Sequence, residues 1–292
     1  MLMAYGSPDN VNDVPEYLKH IYEGRPVPDY AMKENMEKYR MHGGKSPSNR
    51  IIENISKKLK ETLNDEYSVH LAFKHWHPFL SEVAPLLKHE NPEEIIAVPL
   101  FPFPSRNVEK SYLEPLYHAL ADSDIKAPTA FINGFTGPAL ESIWTDILAE
   151  AQMDLSDTAL LFDAHSLPTF RGPEPEYDSS FRKTSEGIAG QMGADAYFLG
   201  YQSIGKYGNS WLGPSLYDVL PDIQSHGYSR ILAVPVGFIY EHLEVLYDLD
   251  YEFGMHARSM GVDYRRSGLP NDRDKFIKLL HDIILSGGEG TS

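Results

Sequence analysis

Apolar residues follow two rhythms along this chain. Short continuous runs, such as "EIIAVPL" (94–100), "TALLFDA" (158–164) and "RILAVPV" (230–236), read as strands buried on both faces. Between such runs lie stretches with helical spacing. In "SPSNRIIENISKKLKETLN", Ser46 and Pro47 open the segment, and Ile51, Ile52, Ile55, Leu59 and Leu63 recur on one face. Further strands are predicted at 1–4, "YSVHLAFK" (67–74), "PTAFI" (128–132), "DAYFLG" (195–200) and "VDYRR" (262–266). Helices are predicted near 137–151 and 272–285, and the last residues, "SGGEGTS", read as a frayed tail. Strands alternating with helices predict an α/β fold with parallel sheets.

The pattern restarts half-way. "LMAYGSP" (2–8) resembles "FDAHSLP" (162–168), "IIAVPLF" resembles "ILAVPVGF", and "LAFKHWHP" holds the same place in the order as "YFLGYQS". The order of these matches argues for an internal repeat with four strands in each half. The halves are placed at 1–136 and 137–292, with the last helix a candidate to pack back on the first. Extra helices over roughly 8–65 set the first half apart. Two such halves predict a cleft between them. In open α/β sheets, ligands bind beyond the carboxyl ends of the strands, which is where His165 falls.

The chemistry-bearing residues gather at these ends. In "GFIYEHLEVLYDLDYEF" (237–253), Glu241, Glu244, Asp248 and Glu252 would share an arc of about 80° on an α-helix. Like charges so spaced repel, and the segment has no Lys or Arg. It reads equally as an acidic surface face or as a row that attracts a hard or borderline divalent cation. His165 is either a histidine bonded to a loop carbonyl or a metal and proton ligand. His75 and His77 in "FKHWHPF" read either as a zinc pair or as residues packed on one face of an extended segment. Tyr5, Trp76, Phe101, Phe103, Tyr112, Tyr201, Trp211, Phe238 and Tyr240 would serve ordinary packing or line a cleft for a flat apolar ligand.

Composition narrows the classes. Acidic residues outnumber basic ones, 42 to 26, for a formal charge of -16. That disfavours nucleic acid and anionic lipid as partners. With no cysteine, an iron–sulfur cluster or thiolate metal site is excluded. No apolar run is long enough to span a bilayer. The N-terminus has no basic region or cleavage site of a signal peptide. A soluble, cytoplasmic protein is expected, with no organic cofactor and with a monomer favoured.

The segments "AHSLP", "YQSIGKYGNSWLGPSL" and "VPVGFIYEHLEVLYDLDYE" resemble the signatures of the ferrochelatases, which insert Fe²⁺ into a porphyrin during haem synthesis. "LMAYGSP", "YRMHGGKSP" and "FKHWHPF" resemble the N-terminal half of the bacterial coproporphyrin-type enzymes. The resemblance runs in order over nearly the whole chain. It implies two similar Rossmann-like, chelatase-like domains, each with a four-stranded parallel sheet flanked by helices, and a porphyrin cleft between them. Ferrous iron would be a substrate. His165 and Glu244 align with the family's catalytic pair, and the resemblance implies that they face each other across the macrocycle and handle iron and the pyrrole protons. Asp248 and Glu252 align with the acidic row beyond, on a helix that has π character in the family. Tyr5, Lys38, Tyr39, Ser46 and Tyr112 align with porphyrin-contacting positions. Arg25, Lys74 and His75 complete the expected porphyrin-binding set.

Departures stand beside the matches. Tyr22 and Glu23 occupy positions where coproporphyrin-type relatives often carry arginines, and Lys38 stands for the usual Arg. Asp163 replaces the usual Ser before "AHSLP", and Glu241 the usual Asp before "HLE". The favoured substrate is coproporphyrin III, with protoporphyrin IX as the alternative. Rival readings are a sirohydrochlorin chelatase of the same fold, which would favour paired histidines, and a non-catalytic porphyrin or haem carrier, which would need no proton acceptor or acidic row. A sugar-nucleotide transferase would need a glycine-rich phosphate loop, and none is convincing.

Overall fold

The computed structural model describes residues 1–194, 196–205 and 210–287. The tail 288–292 and residues 206–209 of the "YQSIGKYGNSWLGPSL" segment lie outside the described residues. The first half runs β1 (Leu2–Ala4), α1 (Val14–Ile21), α2 (Asp29–Met41), α3 (Ser48–Thr62), β2 (Leu71–Phe73), α4 (Leu80–Glu90), β3 (Ile95–Pro99), α5 (Arg106–Asp122), β4 (Thr129–Phe131). The second runs α6 (Pro138–Glu150), β5 (Thr158–His165), α7 (Pro175–Met192), β6 (Tyr197–Gln202), α8 (Leu216–Ser225), β7 (Arg230–Val234), a π-helix (Val245–Phe253), α9 (Gly254–Ser259), β8 (Asp263–Arg266) and α10 (Asp274–Leu285).

Two four-stranded sheets result, with orders β2-β1-β3-β4 and β6-β5-β7-β8. Every strand pairing is parallel. The two orders are the same once the second is renumbered, so β1 and β5 hold equivalent places. That is the topology expected of a repeated unit. Tyr5 and His165 thus occupy equivalent ends, one just past β1 and the other closing β5.

The chain divides into two compact units. One comprises Met1–Leu100, Val108–Asn133 and the described residues from Asn271 to Gly287; the other comprises Phe101–Asn107 and the described residues of Gly134–Pro270. In the first unit, α3 buries Ile51, Ile52, Ile55 and Leu59, the face that its apolar spacing predicts. The last helix, α10, packs on α3 and buries Phe276, Ile277, Leu280, Ile283 and Ile284. Lys58 Nζ ties the two helices, donating to the Asp272 carbonyl at 2.6 Å and to Asp274 Oδ1 at 3.0 Å. In the second unit, β5 is buried from Thr158 to Ala164, as a central parallel strand covered on both faces must be.

Gly6, just past β1, has φ of +80°. A Cβ there would lie 2.7 Å from Phe73 Cβ. Both the turn and the close approach exclude a side chain. Gly6→Ala is expected to destabilise the protein by about 1–3 kcal/mol, measured by urea unfolding. An unchanged midpoint would show that this turn relaxes without strain.

Candidate functional site

Three adjacent strands of the second unit deliver the candidate chemistry at their carboxyl ends. Ser203 follows β6, His165 closes β5, and the segment after β7 carries His242 and Glu244 into the π-helix. The loop after His165 is held by its neighbours. Ser166 N donates to the Gln202 carbonyl at 2.9 Å, Ser166 Oγ to the Leu212 carbonyl at 2.7 Å, and Tyr177 Oη to the His165 carbonyl at 2.9 Å.

His165 Nδ1 lies 2.5 Å from the Ser166 carbonyl oxygen. A carbonyl only accepts, so Nδ1 carries the proton, and Nε2 is the basic atom of the neutral ring. Nε2 lies 3.7 Å from Glu244 Oε1, an ion-pair distance beyond hydrogen-bond range. On the other side, His242 Nε2 lies 3.8 Å from Glu244 Oε2, while His242 Nδ1 is 3.0 Å from the Tyr240 carbonyl. One carboxylate therefore sits between two imidazoles, each turned by a backbone carbonyl to present Nε2.

The two histidines respond differently. Burial by itself depresses His165, but the Glu244 carboxylate, the Ser166 carbonyl and the Asp248 charge outweigh it and raise its pKa. His242 is lowered: burial dominates the opposing pull of Glu244. One imidazole is thus more basic than usual and the other less.

The acidic row is only partly as the periodicity predicts. Glu241 lies outside the helix and pairs with Arg266 Nη1 at 2.9 Å. The expected four-membered row on an α-helix therefore shrinks to Glu244, Asp248 and Glu252, with the latter two on a π-helix. Asp248 Oδ2 accepts from Ser203 Oγ at 2.6 Å, and Ser203 holds φ of +57°, an uncommon conformation for a residue with a side chain. Burial first, then the charges of Glu252 and Asp248, push the Tyr217 phenol up to about 12. Among the described residues no group of three or more His, Asp or Glu side chains is set to hold a metal ion. His165, Glu244, Asp248 and Glu252 thus form a row and not a closed cage.

The placement of His165 and Glu244 also corrects one expectation. At 3.7 Å the two side chains are at contact distance, which leaves no space for a macrocycle between them. Both therefore lie on the same side of the strand ends of this unit.

The first unit has its own cluster. The Tyr5 and His75 rings lie 4.5 Å apart, centroid to centroid, and Lys74 Nζ sits 5.3 Å from the centre of the Tyr112 ring. Burial, helped by the charges of Lys74 and His20, lowers His75 to about 3. His77 turns to Glu82 at 2.8 Å, so the zinc-pair reading of His75 and His77 is not supported. Tyr39 is buried. Ser46 is buried too, in a hydroxyl chain: Ser46 Oγ to Ser48 Oγ is 2.9 Å, and Ser48 Oγ to Ser7 Oγ is 2.9 Å. Lys38 lies 3.4 Å from Glu34. Arg25 is exposed, 3.6 Å from Glu23. Of the aromatics expected to line a cleft, Trp76, Phe103, Tyr112 and Tyr201 are buried, whereas Tyr5 is 41% exposed.

Residues 1–287 match the protein-family model Ferrochelatase. The chain belongs to the ferrochelatase family. A ferrochelatase of Thermoplasma acidophilum is 43% identical over 284 residues, covering 96% of this chain and 88% of the relative. The coproporphyrin III ferrochelatase 2 of Bacillus cereus is 30% identical, with coverage of 97% and 92%. Among solved structures, SirB from Bacillus subtilis with Fe³⁺ superposes with a TM-score of 0.63 at 7% identity, covering 82% of this chain and 89% of that one. Its cobalt complex, described as a sirohydrochlorin chelatase from subspecies spizizenii, gives 0.62 at 8% identity, with coverage of 99% and 94%. These neighbours share the chelatase fold, while the sequence places this chain with the ferrochelatases. The sequence singled out His165 and Glu244, which the structure places 3.7 Å apart. It did not single out their neighbours His242, Ser203 and Arg266, although "EHLE" already set a second histidine two residues from the glutamate.

Proposed function

We propose that this ferrochelatase inserts Fe²⁺ into coproporphyrin III, with His165 Nε2 accepting the two pyrrole protons in succession, each passed on to water before the next, and Glu244 stabilising the imidazolium that forms. The observation that carries this reading is the His165–Glu244 pair at 3.7 Å at the carboxyl end of β5. Two pyrrole protons leave as iron binds the four nitrogens, so no electron transfer is required. A flat porphyrin shields those nitrogens. Bending the ring out of plane would expose them and move it toward the metallation transition state. Asp248, held by Ser203, and exposed Glu252 would lead the cation toward Glu244. Tyr5, Arg25, Lys38, Tyr39, Ser46, Lys74, His75 and Tyr112 are the proposed porphyrin contacts.

Coproporphyrin III is favoured because relatives named for it align over almost the whole chain. A substrate with four carboxylates is collected from water, which suits a cytoplasmic monomer. No described helix is long and apolar enough to cross a membrane. The test is metallation with Fe²⁺, followed by porphyrin absorption, with coproporphyrin III and protoporphyrin IX compared. A kinetic preference for protoporphyrin IX would overturn the substrate assignment.

Two further outcomes are expected. Charge-assisted bonds to a propionate are stronger than neutral ones, so Lys38→Ala is expected to raise the porphyrin KM by about tenfold, equivalent to about 1.4 kcal/mol. Indifference of KM would remove Lys38 from the contact set. Asp248→Asn and Glu252→Gln are expected to raise the KM for iron more than that for porphyrin, read from initial rates under varied iron. The opposite split would restore the acidic-surface reading.

A further inference from the structure

Arg266, at the end of β8, has a side chain only 11% exposed. Its Nε and Nη2 donate to Asp250 Oδ1 and Oδ2 at 2.6 and 2.8 Å; Nη1 donates to Glu241 Oε1 at 2.9 Å and to the Ser267 carbonyl at 2.8 Å. The two carboxylates bracket the candidate chemistry in sequence. Glu241 lies three residues before Glu244, and Asp250 two residues after Asp248. We propose that Arg266 is a positioning residue: a single guanidinium clamps both ends of the Glu241–Asp250 segment and so sets the place of Glu244 beside His165 and His242. This inference rests on the catalytic reading of Glu244 given above.

The chemistry requires an arginine. A guanidinium is a planar fork that can hold one carboxylate with two parallel bonds and still reach a second. A lysine would keep the charge but lose that geometry. The clamp also suits the backbone it holds. A π-helix is rarely long and gains little from its own bonding pattern, so an outside tie at Asp250, within the helix, helps hold it in place. Displacement of about 1 Å in a catalytic group can slow a reaction by about a hundredfold.

The test compares Arg266→Lys, Asp250→Asn, Glu244→Gln and the Arg266→Lys/Glu244→Gln double variant in the full chain. Iron insertion is followed by absorption, porphyrin affinity by fluorescence quenching, and folding by thermal unfolding. Arg266→Lys is expected to lower kcat at least tenfold, with porphyrin Kd within twofold of the parent. It is expected to add little once Glu244 is already glutamine, because groups that act through one another are not additive. A merely structural role would give multiplicative losses, or a lowered Tm with unchanged turnover per folded molecule. Either of those, or near-parental kcat in Arg266→Lys, would overturn the clamp and leave the catalytic pair standing. If Arg266→Lys does not fold, Asp250→Asn decides the same question, since it removes one charge from the clamp and keeps its shape. Parental turnover in Glu244→Gln would overturn the catalytic reading itself, and the clamp with it.

Discussion

Replacing Glu244 by glutamine, or His165 by alanine, is expected to slow iron insertion by about 10²–10⁴-fold, the range lost when a positioned proton acceptor is removed. Both side chains are partly exposed, so neither change opens a buried cavity, and cooperative unfolding should persist. Glu244→Gln carries a second signature. His165 is raised against the pull of burial chiefly by the Glu244 carboxylate. Without that charge its pKa falls, and the neutral imidazole persists to lower pH. An NMR titration of the metal-free variant should therefore show the His165 transition displaced to lower pH than in the parent. A transition that stayed in place, with turnover preserved, would dissolve the pair.

Asp163 is expected to make the fold less stable as pH rises. It is fully buried in β5, and neither carboxyl oxygen has a hydrogen-bond partner. Burial first, then the nearby Asp248 charge, raise its pKa well above the ordinary carboxylate range. The backbone amides of Gln202 and Ala164 oppose the shift, but without hydrogen bonds of ordinary geometry. The folded state therefore holds a proton that the unfolded chain releases near pH 3.9. For a raised pKa, the stabilising contribution is complete below the unfolded value and is lost as pH climbs toward the folded one. The loss is about 1.4 kcal/mol for each pH unit within that window. Asp163→Asn keeps the shape without the proton. Asp163→Ser installs the residue usual at this position in the family. In urea unfolding from pH 5 to 7, the asparagine variant should show a flatter stability profile and a higher midpoint at pH 7 than the parent. Parallel profiles would mean that the folded protein stabilises the Asp163 carboxylate.

The succession of strands was legible because it depends on local rhythm, whereas the candidate pair was legible through the family resemblance. Buried parallel strands read as unbroken apolar runs, and "TALLFDAH" is the plainest of them. A histidine where such a run stops can lie only at a strand end. The repeated order of "LMAYGSP" and "FDAHSLP" foreshadowed two sheets of the same topology. The acidic row was visible as spacing, but spacing alone assumed one continuous α-helix. Glu241 falls outside that helix because its charge is drawn to Arg266, and the segment itself supplies no cation. The π-helical turn beneath Asp248 and Glu252 was carried only by the family resemblance.

By itself the sequence determined the order of elements, the apolar faces that build them, and the residue types gathered at the carboxyl ends of the strands. These follow from side-chain hydrophobicity and backbone preference within a few residues of each position. Only the tertiary structure decided that His165 and Glu244 meet at 3.7 Å. It also decided that His242 flanks the same carboxylate, that Ser203 holds Asp248, and that α10 returns to α3. The reason is range. Desolvation and charge act between groups far apart in the chain, and their strength depends on which strand ends adjoin and what covers them.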